Sequence, residues 1–280
     1  MRRPERISLG IAMTALVLTT ALAQTEKPAG SATSEAEEHA KQLTNPVADL
    51  VSLPLEFNLM EGVGVNHDLR SVMKFQPVVP FSLNANWNLI GRLILPFVSQ
   101  PVMAPGVGPA SGTGDILLSG FFSPVNSKKA IWGVGPALSL PTTSDPLLGS
   151  GKWSGGPTAV VLKLSGPWAY GTLVSHLWSF ADTGDQDRTN VSQSYLQPFL
   201  AYTTPAAVTY LLSSETTYDW KAADGQKWTA PILVNVSKVT WLGPFPFSIG
   251  AGAGYYLEKP DDGPNWSLRM TATLILPRKK

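Results

Sequence analysis

The residues of this chain best suited to acid–base or metal chemistry are its three histidines, His39, His67 and His176. They lie far apart, no HExxH pairing occurs, and the chain has no cysteine, so the sequence predicts no zinc motif and no thiolate site. A catalytic alternative places His176 beside Ser175 or Ser179, as base and nucleophile of a membrane-embedded phospholipase. No GxSxG turn accompanies them. We therefore expect no enzyme, no catalytic residue, no metal and no cofactor.

Two loop motifs resemble ligand sites but lack essential parts. Gly149-Ser150-Gly151-Lys152 is similar to the end of a phosphate loop, yet the upstream glycine is missing and Trp153 replaces the required Ser or Thr. Asp182, Asp185 and Asp187 suit a divalent cation, such as calcium bridging lipopolysaccharide, or simply a solvated turn. We interpret both segments as exposed loops.

We assign seven of the charged residues within predicted strands to the face that alternates with the apolar one. We predict that they face the lumen of a β-barrel, where opposite charges can pair and set ion preference. Alternatively they only keep charge off the lipid face, where a cation at the midplane costs ~2–4 kcal/mol. These lumen-facing candidates are Glu56, Lys74, Arg92, Lys163, Glu215, Lys238 and Arg269.

The elements that must position these residues are β-strands. Phe245–Leu257 and Trp266–Leu276 alternate between apolar and small or polar residues, as lipid-facing barrel strands do. Ten further segments precede them, and the connections alternate between short and long. Short periplasmic turns and long outer loops are a property of outer-membrane barrels, and an even strand count puts both termini on the periplasmic side. The other predicted strands are Val51–Met60, Val72–Leu83, Trp87–Val98, Asp115–Ser123, Ala130–Leu140, Thr158–Leu164, Trp168–Phe180, Gln193–Tyr202, Ala207–Trp220 and Trp228–Trp241.

The sequence thus predicts an all-β fold, a transmembrane antiparallel barrel of about twelve strands with a short N-terminal helical leader. A soluble ligand barrel would show the same alternation with its faces exchanged, but a barrel this wide is not filled by side chains alone. Six tryptophans near strand ends predict an interfacial girdle: Trp87, Trp132, Trp168, Trp228, Trp241 and Trp266. Prolines within strands oppose this prediction, because a closed barrel has no free edge: Pro77, Pro80, Pro96, Pro136, Pro198 and Pro231.

The N-terminal fifty residues divide into two segments before the barrel at 51–280. Residues 1–23 combine a basic start, the apolar run Ile7–Leu22 and a small-residue cleavage site, which predicts a cleaved signal peptide. Residues 24–50 are predicted to be a mobile periplasmic leader with helical turns, or a small plug folded into the pore. Ser34 and Glu37 predict a capping box in this leader.

Composition excludes two classes of protein. No segment after the predicted signal peptide has the ~18 uninterrupted apolar residues of a transmembrane helix, and the mean hydropathy is only +0.05. A net charge of +1 gives no reason to expect nucleic acid as a partner.

The chain resembles the outer-membrane transporter family of the meta-pathway of phenol degradation in Gram-negative bacteria. The resemblance runs from about Asn45 to Pro277. Its motifs are Leu53-Pro54-Leu55-Glu56-Phe57-Asn58, Gln76-Pro77-Val78-Val79-Pro80-Phe81-Ser82-Leu83, Trp87-Asn88-Leu89-Ile90 with Arg92, Gly114-Asp115-Ile116, Phe122-Ser123-Pro124, Trp132-Gly133-Val134-Gly135-Pro136, Lys152-Trp153 with Gly156-Pro157, Gln197-Pro198-Phe199, Trp228 with Pro231, and Gly263-Pro264 with Trp266 and Arg269.

The resemblance implies a porin-like channel in the cell outer membrane for passive passage of small, aromatic or hydrophobic compounds. Its expected partners are outer-membrane lipid and lipopolysaccharide, a small-molecule solute and the barrel assembly machinery. The chain departs from barrels that end in an aromatic residue, since Leu276 is followed by Pro277-Arg278-Lys279-Lys280. The alternative function is a structural or surface-interaction barrel that acts through its outer loops, Pro141–Pro157 and Ala181–Ser192.

Overall fold

The computed structural model describes residues 29–127, 129–184 and 188–276. The predicted signal peptide at 1–23, the tail at 277–280, and Asp185 and Asp187 of the proposed cation site lie outside these ranges.

One helix precedes a series of β-segments that form the barrel wall. The elements are α1 Ala29–Leu43, β1 Val51–Val63, β2 Asp68–Phe75, β3 Val78–Ser82, β4 Trp87–Gln100, β5 Ala110–Thr113, β6 Ile116–Pro124, β7 Ile131–Leu140, β8 Lys152–Ser165, β9 Trp168–Asp182, β10 Ser192–Thr203, β11 Val208–Ser213, β12 Thr216–Asp219, β13 Trp228–Leu242, β14 Phe245–Glu258 and β15 Trp266–Leu276. Three barrel strands are interrupted once, so that each consists of two consecutive segments. These pairs of segments are β2 and β3, β5 and β6, and β11 and β12, and the fifteen segments therefore form a wall of twelve strands.

The sheet closes on itself. Each barrel strand pairs antiparallel with the next, and β15 pairs with β1 from Val51↔Leu276 to Glu61↔Trp266. The predicted fold class, a closed antiparallel barrel of twelve strands with a short N-terminal helix, is confirmed. Several strands extend beyond their predicted ends on the side of the long loops, because the apolar alternation used to find them covers only part of each strand. The predicted loop Pro141–Pro157 is therefore wrong at its end, since β8 already begins at Lys152.

Apolar and polar residues take opposite faces of the wall, as the alternation predicts. In β15 the side chains of Leu268 and Met270 are exposed to the outside, whereas Ser267 and Thr273 are buried inside. Five of the six girdle tryptophans are exposed, and Trp87 packs edge-on against Trp132 with ring centroids 5.8 Å apart. Trp241 differs, because it shares the inward face of β13 with buried Val239 and lies 6.4 Å from the His39 ring of the leader.

Three of the six prolines lie in or beside interruptions of the strands. Ser214 and Glu215, between β11 and β12, lie between Pro198 of β10 and Pro231 of β13, and the ladder resumes in the same register beyond them. The residue after β2 is Gln76, followed by Pro77, and β3 then resumes pairing with β4. At Pro77, Pro198 and Pro231 the missing N–H donor therefore falls in or beside an interruption of the ladder.

The leader lies against the inner wall near the end of the barrel that has the short turns. Ala36 and Ala40 of α1 are buried together with Ala207 and Val239. α1 begins at Ala29, so Ser34 lies within the helix and the predicted capping box at its start is wrong. Among the residues that the structure describes, no helix combines the length and apolar character that a membrane span requires.

A short segment after α1 crosses the lumen to the opposite wall. Asn45 caps a single turn by accepting a hydrogen bond of 3.0 Å from the Val47 N–H. Val47 is buried in an apolar cluster on the inside of the barrel, whose other members are Ile90, Phe121, Val160, Leu162 and Leu173.

Candidate functional site

Two carboxylates and two cations meet in the middle of the lumen, and we call Glu56, Lys74, Glu215 and Arg269 the lumenal cluster. Lys74 Nζ lies 3.0 Å from Glu56 Oε1 and 3.6 Å from Glu215 Oε2. Arg269 Nη1 lies 2.6 Å from Glu215 Oε1, and Nη2 lies 3.5 Å from Glu56 Oε1. Each charged group therefore has two partners of opposite sign.

Glu215 lies on a different part of the wall from the other three members of the lumenal cluster. Glu56, Lys74 and Arg269 lie on the adjacent strands β1, β2 and β15, whereas Glu215 lies in the interruption between β11 and β12. Strands β13 and β14 separate it from β15 along the wall. The pairs to Lys74 and Arg269 therefore cross open lumen and narrow it.

Asn58 supports the cluster, and our sequence prediction did not include it. Its amide oxygen accepts a 2.7 Å hydrogen bond from Arg269 Nε, and its amide nitrogen donates a 2.9 Å bond to Glu56 Oε1. The signal available in the sequence was its position two residues after Glu56, on the same face of β1.

Arg92 lies nearby but outside the cluster. Its guanidinium donates a 2.7 Å hydrogen bond from Nη2 to Oε1 of Gln76, the buried residue between β2 and β3. No carboxylate oxygen of the described residues lies within ion-pair distance of it. Three cations therefore face two carboxylates in this part of the lumen.

Lys163 and Lys238 lie on the outer face of the wall and not in the lumen, contrary to the sequence interpretation. Lys163 shares the exposed face of β8 with Val161, and Lys238 shares that of β13 with Val236. Both lie within a few residues of short turns. A lysine at that level can extend its ammonium group to the headgroups, where the cost falls to about 0–1 kcal/mol.

The glycines on the inner face of β14 do not border open space. A Cβ atom on Gly252 would lie 2.4 Å from the Val234 carbonyl oxygen and 2.6 Å from Asn235 Oδ1. One on Gly254 would meet Leu233 Cδ2 at 2.4 Å. Side chains of β13 therefore occupy the room that these glycines leave.

Three adjoining cavities follow the barrel axis. An outer cavity of about 260 Å³ lies beneath the loops and includes Ser154 and Asp219. A central cavity of about 330 Å³ contains the lumenal cluster and shares Leu177 and Gln193 with the outer one. An inner cavity of about 290 Å³ lies between the leader and the wall. The central and inner cavities share seven residues, which are Gln76, Arg92, Gln197, Leu211, Ser213, Asn235 and Thr271.

The two sides of the central cavity differ in character. The charged residues lie on β1, β2, β4 and β15 and in the β11–β12 interruption. The adjoining part of the wall, from β4 to β9, is mainly apolar and consists of Ile94, Leu117, Phe121, Ala137, Leu173 and Leu177, with Ser119, Thr158 and Ser175 between them. This cavity can therefore contact both a charged group and a hydrophobic body.

His176 lies on the outer face of the wall. Ser175 and Ser179 lie on the inner face, because they are an odd number of residues away from His176 along β9. Its Nδ1 lies 2.8 Å from Oγ of Ser194 on β10, and its ring lies 4.4 Å from that of Trp178. The dyads that we considered from the sequence, with Ser175 or Ser179, are thus not formed.

The loop motifs have structural partners. The Lys152 ammonium group is almost completely buried and pairs with the Asp182 carboxylate. Asp115 Oδ2 accepts bonds of 2.6 and 2.8 Å from the Ser150 N–H and hydroxyl. Within the described ranges, no group of three or more His, Cys, Asp or Glu residues could hold a metal ion.

Comparisons with known proteins agree with this architecture. No protein-family model matches the chain, and no curated protein matches it in sequence. The crystal structure of the COG4313 outer membrane channel from Pseudomonas putida F1 is similar, with a TM-score of 0.63 and 17% identity over 81% of this chain and 96% of that one. The β-domain of the Bordetella autotransporter BrkA is less similar, with a TM-score of 0.44, 10% identity, and 81% and 100% of the two chains covered.

A calcium-bound phospholipase dimer from the outer membrane of Salmonella typhi likewise has a TM-score of only 0.44, at 12% identity over 89% of this chain and 98% of that one. Neither of these two weaker similarities bears on function. The likeness to the Pseudomonas putida channel concerns the fold. The chain therefore shares the closed β-barrel fold of this outer membrane channel.

Proposed function

We propose that this chain is a channel of the Gram-negative outer membrane that lets small aromatic or hydrophobic compounds pass without an energy source. The observation that carries the proposal is the series of three adjoining cavities from the outer loops to the leader. The apolar side of the central cavity favours solutes with a hydrophobic body over fully hydrophilic ones.

The family and the export route form part of the same proposal. The ordered motifs favour membership of the outer-membrane transporter family of the phenol meta-pathway, and the fold of the Pseudomonas putida channel is consistent with it. We propose a cleaved signal peptide at residues 1–23, insertion by the barrel assembly machinery, and contact with outer-membrane lipid and lipopolysaccharide.

Of the two roles predicted for residues 24–50, we propose that of a plug. Contacts of α1 with Val239 and of Val47 with the opposite wall support this role, because the segment then crosses the lumen between the inner cavity and the periplasm.

Uptake of a radiolabelled phenolic compound by cells with and without the protein tests the channel proposal. A lipopolysaccharide-coated membrane passes hydrophobic compounds slowly, so we expect the initial uptake rate to rise with the amount of folded barrel. Heat-modifiable gel mobility measures that amount. Equal uptake at high folded expression would contradict the proposed solute class.

A barrel that acts through its outer loops is distinguished by deleting residues 142–148. The channel proposal predicts unchanged uptake, since none of these residues lines the three cavities. Loss of a cellular phenotype at unchanged permeability would instead favour the surface-interaction role.

A further inference from the structure

We infer that the central cavity binds amphiphilic anions, a carboxylate or phenolate on a hydrophobic ring, with Arg92 as the charge partner. This inference rests on the proposed channel function and names its solute class more closely. Three observations carry it: the excess of positive charge, the apolar wall beside it, and the position of Arg92 between two cavities.

The charge excess is located at Arg92. Lys74 and Arg269 are each paired with Glu56 and Glu215, whereas the described contacts of Arg92 include one hydrogen bond, to the neutral amide of Gln76. A guanidinium has five N–H donors in a planar fork, which suits a carboxylate better than a single amide oxygen does. An anion that entered the cavity would therefore find donors available at Arg92.

The apolar wall selects among anions. Phe121 is almost completely buried, and Leu173 and Leu177 line the cavity beside it. The cavity of about 330 Å³ falls at the lower end of the roughly 300–1,000 Å³ typical of small-molecule sites. Inorganic anions would leave this wall in contact with water, whereas an aromatic acid covers it and places its carboxylate towards Arg92.

Because of the position of Arg92, the proposed anion site lies on the route between the central and the inner cavity. Arg92 lines both the central and the inner cavity, together with Gln76 and Gln197. A solute that moves between the cavities therefore passes this guanidinium. Selective passage requires binding that is favourable enough for entry and weak enough for release, which one partly engaged arginine can provide.

The test is a binding measurement, so that it does not depend on transport. The full-length mature chain is placed in lipid nanodiscs, and ¹⁹F NMR measures the dissociation constants of 4-fluorobenzoate and of its neutral analogue 4-fluorobenzyl alcohol. We expect benzoate to bind more tightly than the alcohol. Arg92→Gln should weaken benzoate binding about tenfold, the effect of ~1.4 kcal/mol, and leave the alcohol unchanged.

Two further variants and one competitor complete the design. Arg92→Lys should restore part of the benzoate affinity, and Lys163→Gln, which removes a positive charge from the outer face, should change nothing. Leu177→Ser should weaken both ligands alike. Heat-modifiable mobility verifies that every variant is folded. Inorganic phosphate at equal ionic strength should displace little benzoate.

Benzoate affinity that is the same in Arg92→Gln, or equal for benzoate and the alcohol, would overturn the inference, as would full displacement by phosphate. These outcomes are separable from failure of the channel proposal. Benzoate binding at Arg92 without any solute uptake would contradict transport alone, and uptake without preference for the anion would contradict this inference alone.

Discussion

Glu215 is the residue that connects opposite sides of the lumen. It pairs with Arg269 of β15 and Lys74 of β2 from the interruption between β11 and β12. Because the carboxylate faces two cations, its removal changes the balance of charge in the central cavity as well as the width of the lumen.

Glu215→Gln should make the pore more selective for anions. Three cations would then face one carboxylate, and the reversal potential in a KCl gradient should move towards the chloride equilibrium potential. The free energy of unfolding should fall by about 1–3 kcal/mol, because Lys74 and Arg269 each lose a partner. Lys163→Gln serves as the control. An unchanged reversal potential would show that the lumenal cluster does not border the ion path.

The alternation of side chains along each strand explains for which charged residues the sequence predicts the correct face of the wall. Glu56, Lys74, Arg92, Glu215 and Arg269 lie on the inner wall where the alternation places them. Lys238 lies outside with Val236, and Lys163 with Val161, because a lysine near the membrane interface can extend to the headgroups and its charge does not fix its direction. The contacts of Glu215 were not predictable, since alternation within a strand gives no distance across a barrel.

Among the elements, β14 shows how glycine permits close packing inside the wall. Asn235 and the Val234 carbonyl of β13 occupy the space beside Gly252. The sequence indicated a small-residue face, and it could not show that the neighbouring strand fills the space.

Gly252→Ala should therefore destabilise the barrel, and we expect a loss of about 1–3 kcal/mol, the range seen when a packed interior receives an extra group. Urea unfolding in lipid vesicles, followed by tryptophan fluorescence, measures the loss. Ala253→Val on the outward face of the same strand is the matched control and should have little effect. Equal stability of both variants would mean that the inner face of β14 is open.

The outward face of β13 allows a test of its contact with lipid. Val234 lies near the middle of the strand, and Thr240 lies on the same face near the periplasmic end. Val234→Arg should cost ~2–4 kcal/mol and Thr240→Arg about 0–1 kcal/mol, because the cost of a cation depends on its depth. Similar losses at both positions would contradict the membrane placement of this strand.

The leader is the element whose position the sequence left open. Both predicted roles were consistent with its composition, and the choice depends on tertiary contacts. Val47→Asp places a charge in the cluster around Phe121 and Ile90 and should release the segment from that wall. We expect a higher single-channel conductance than that of the wild type in planar bilayers. Unchanged conductance from a folded variant would show that the leader does not obstruct the pore.

For the whole molecule, the central claim is a continuous path through a closed barrel. The twelve strands and their order followed from the alternation and from the loop lengths. The strand interruptions could not be predicted from the sequence. The sequence shows where prolines occur, but it does not show that Pro198 and Pro231 lie on either side of the same two residues. The cavities depend on these interruptions, since Gln76 and Glu215 face inward from them.

Thiol modification tests this claim most directly, because the chain has no cysteine of its own. Ser213 faces the central and inner cavities, whereas its neighbour Leu212 is exposed on the outer face. A charged methanethiosulfonate reagent added to a planar bilayer should reduce the ion current through Ser213→Cys and leave Leu212→Cys unaffected. A current through Ser213→Cys that the reagent does not change, or an equal reduction in both variants, would contradict a path through the lumen.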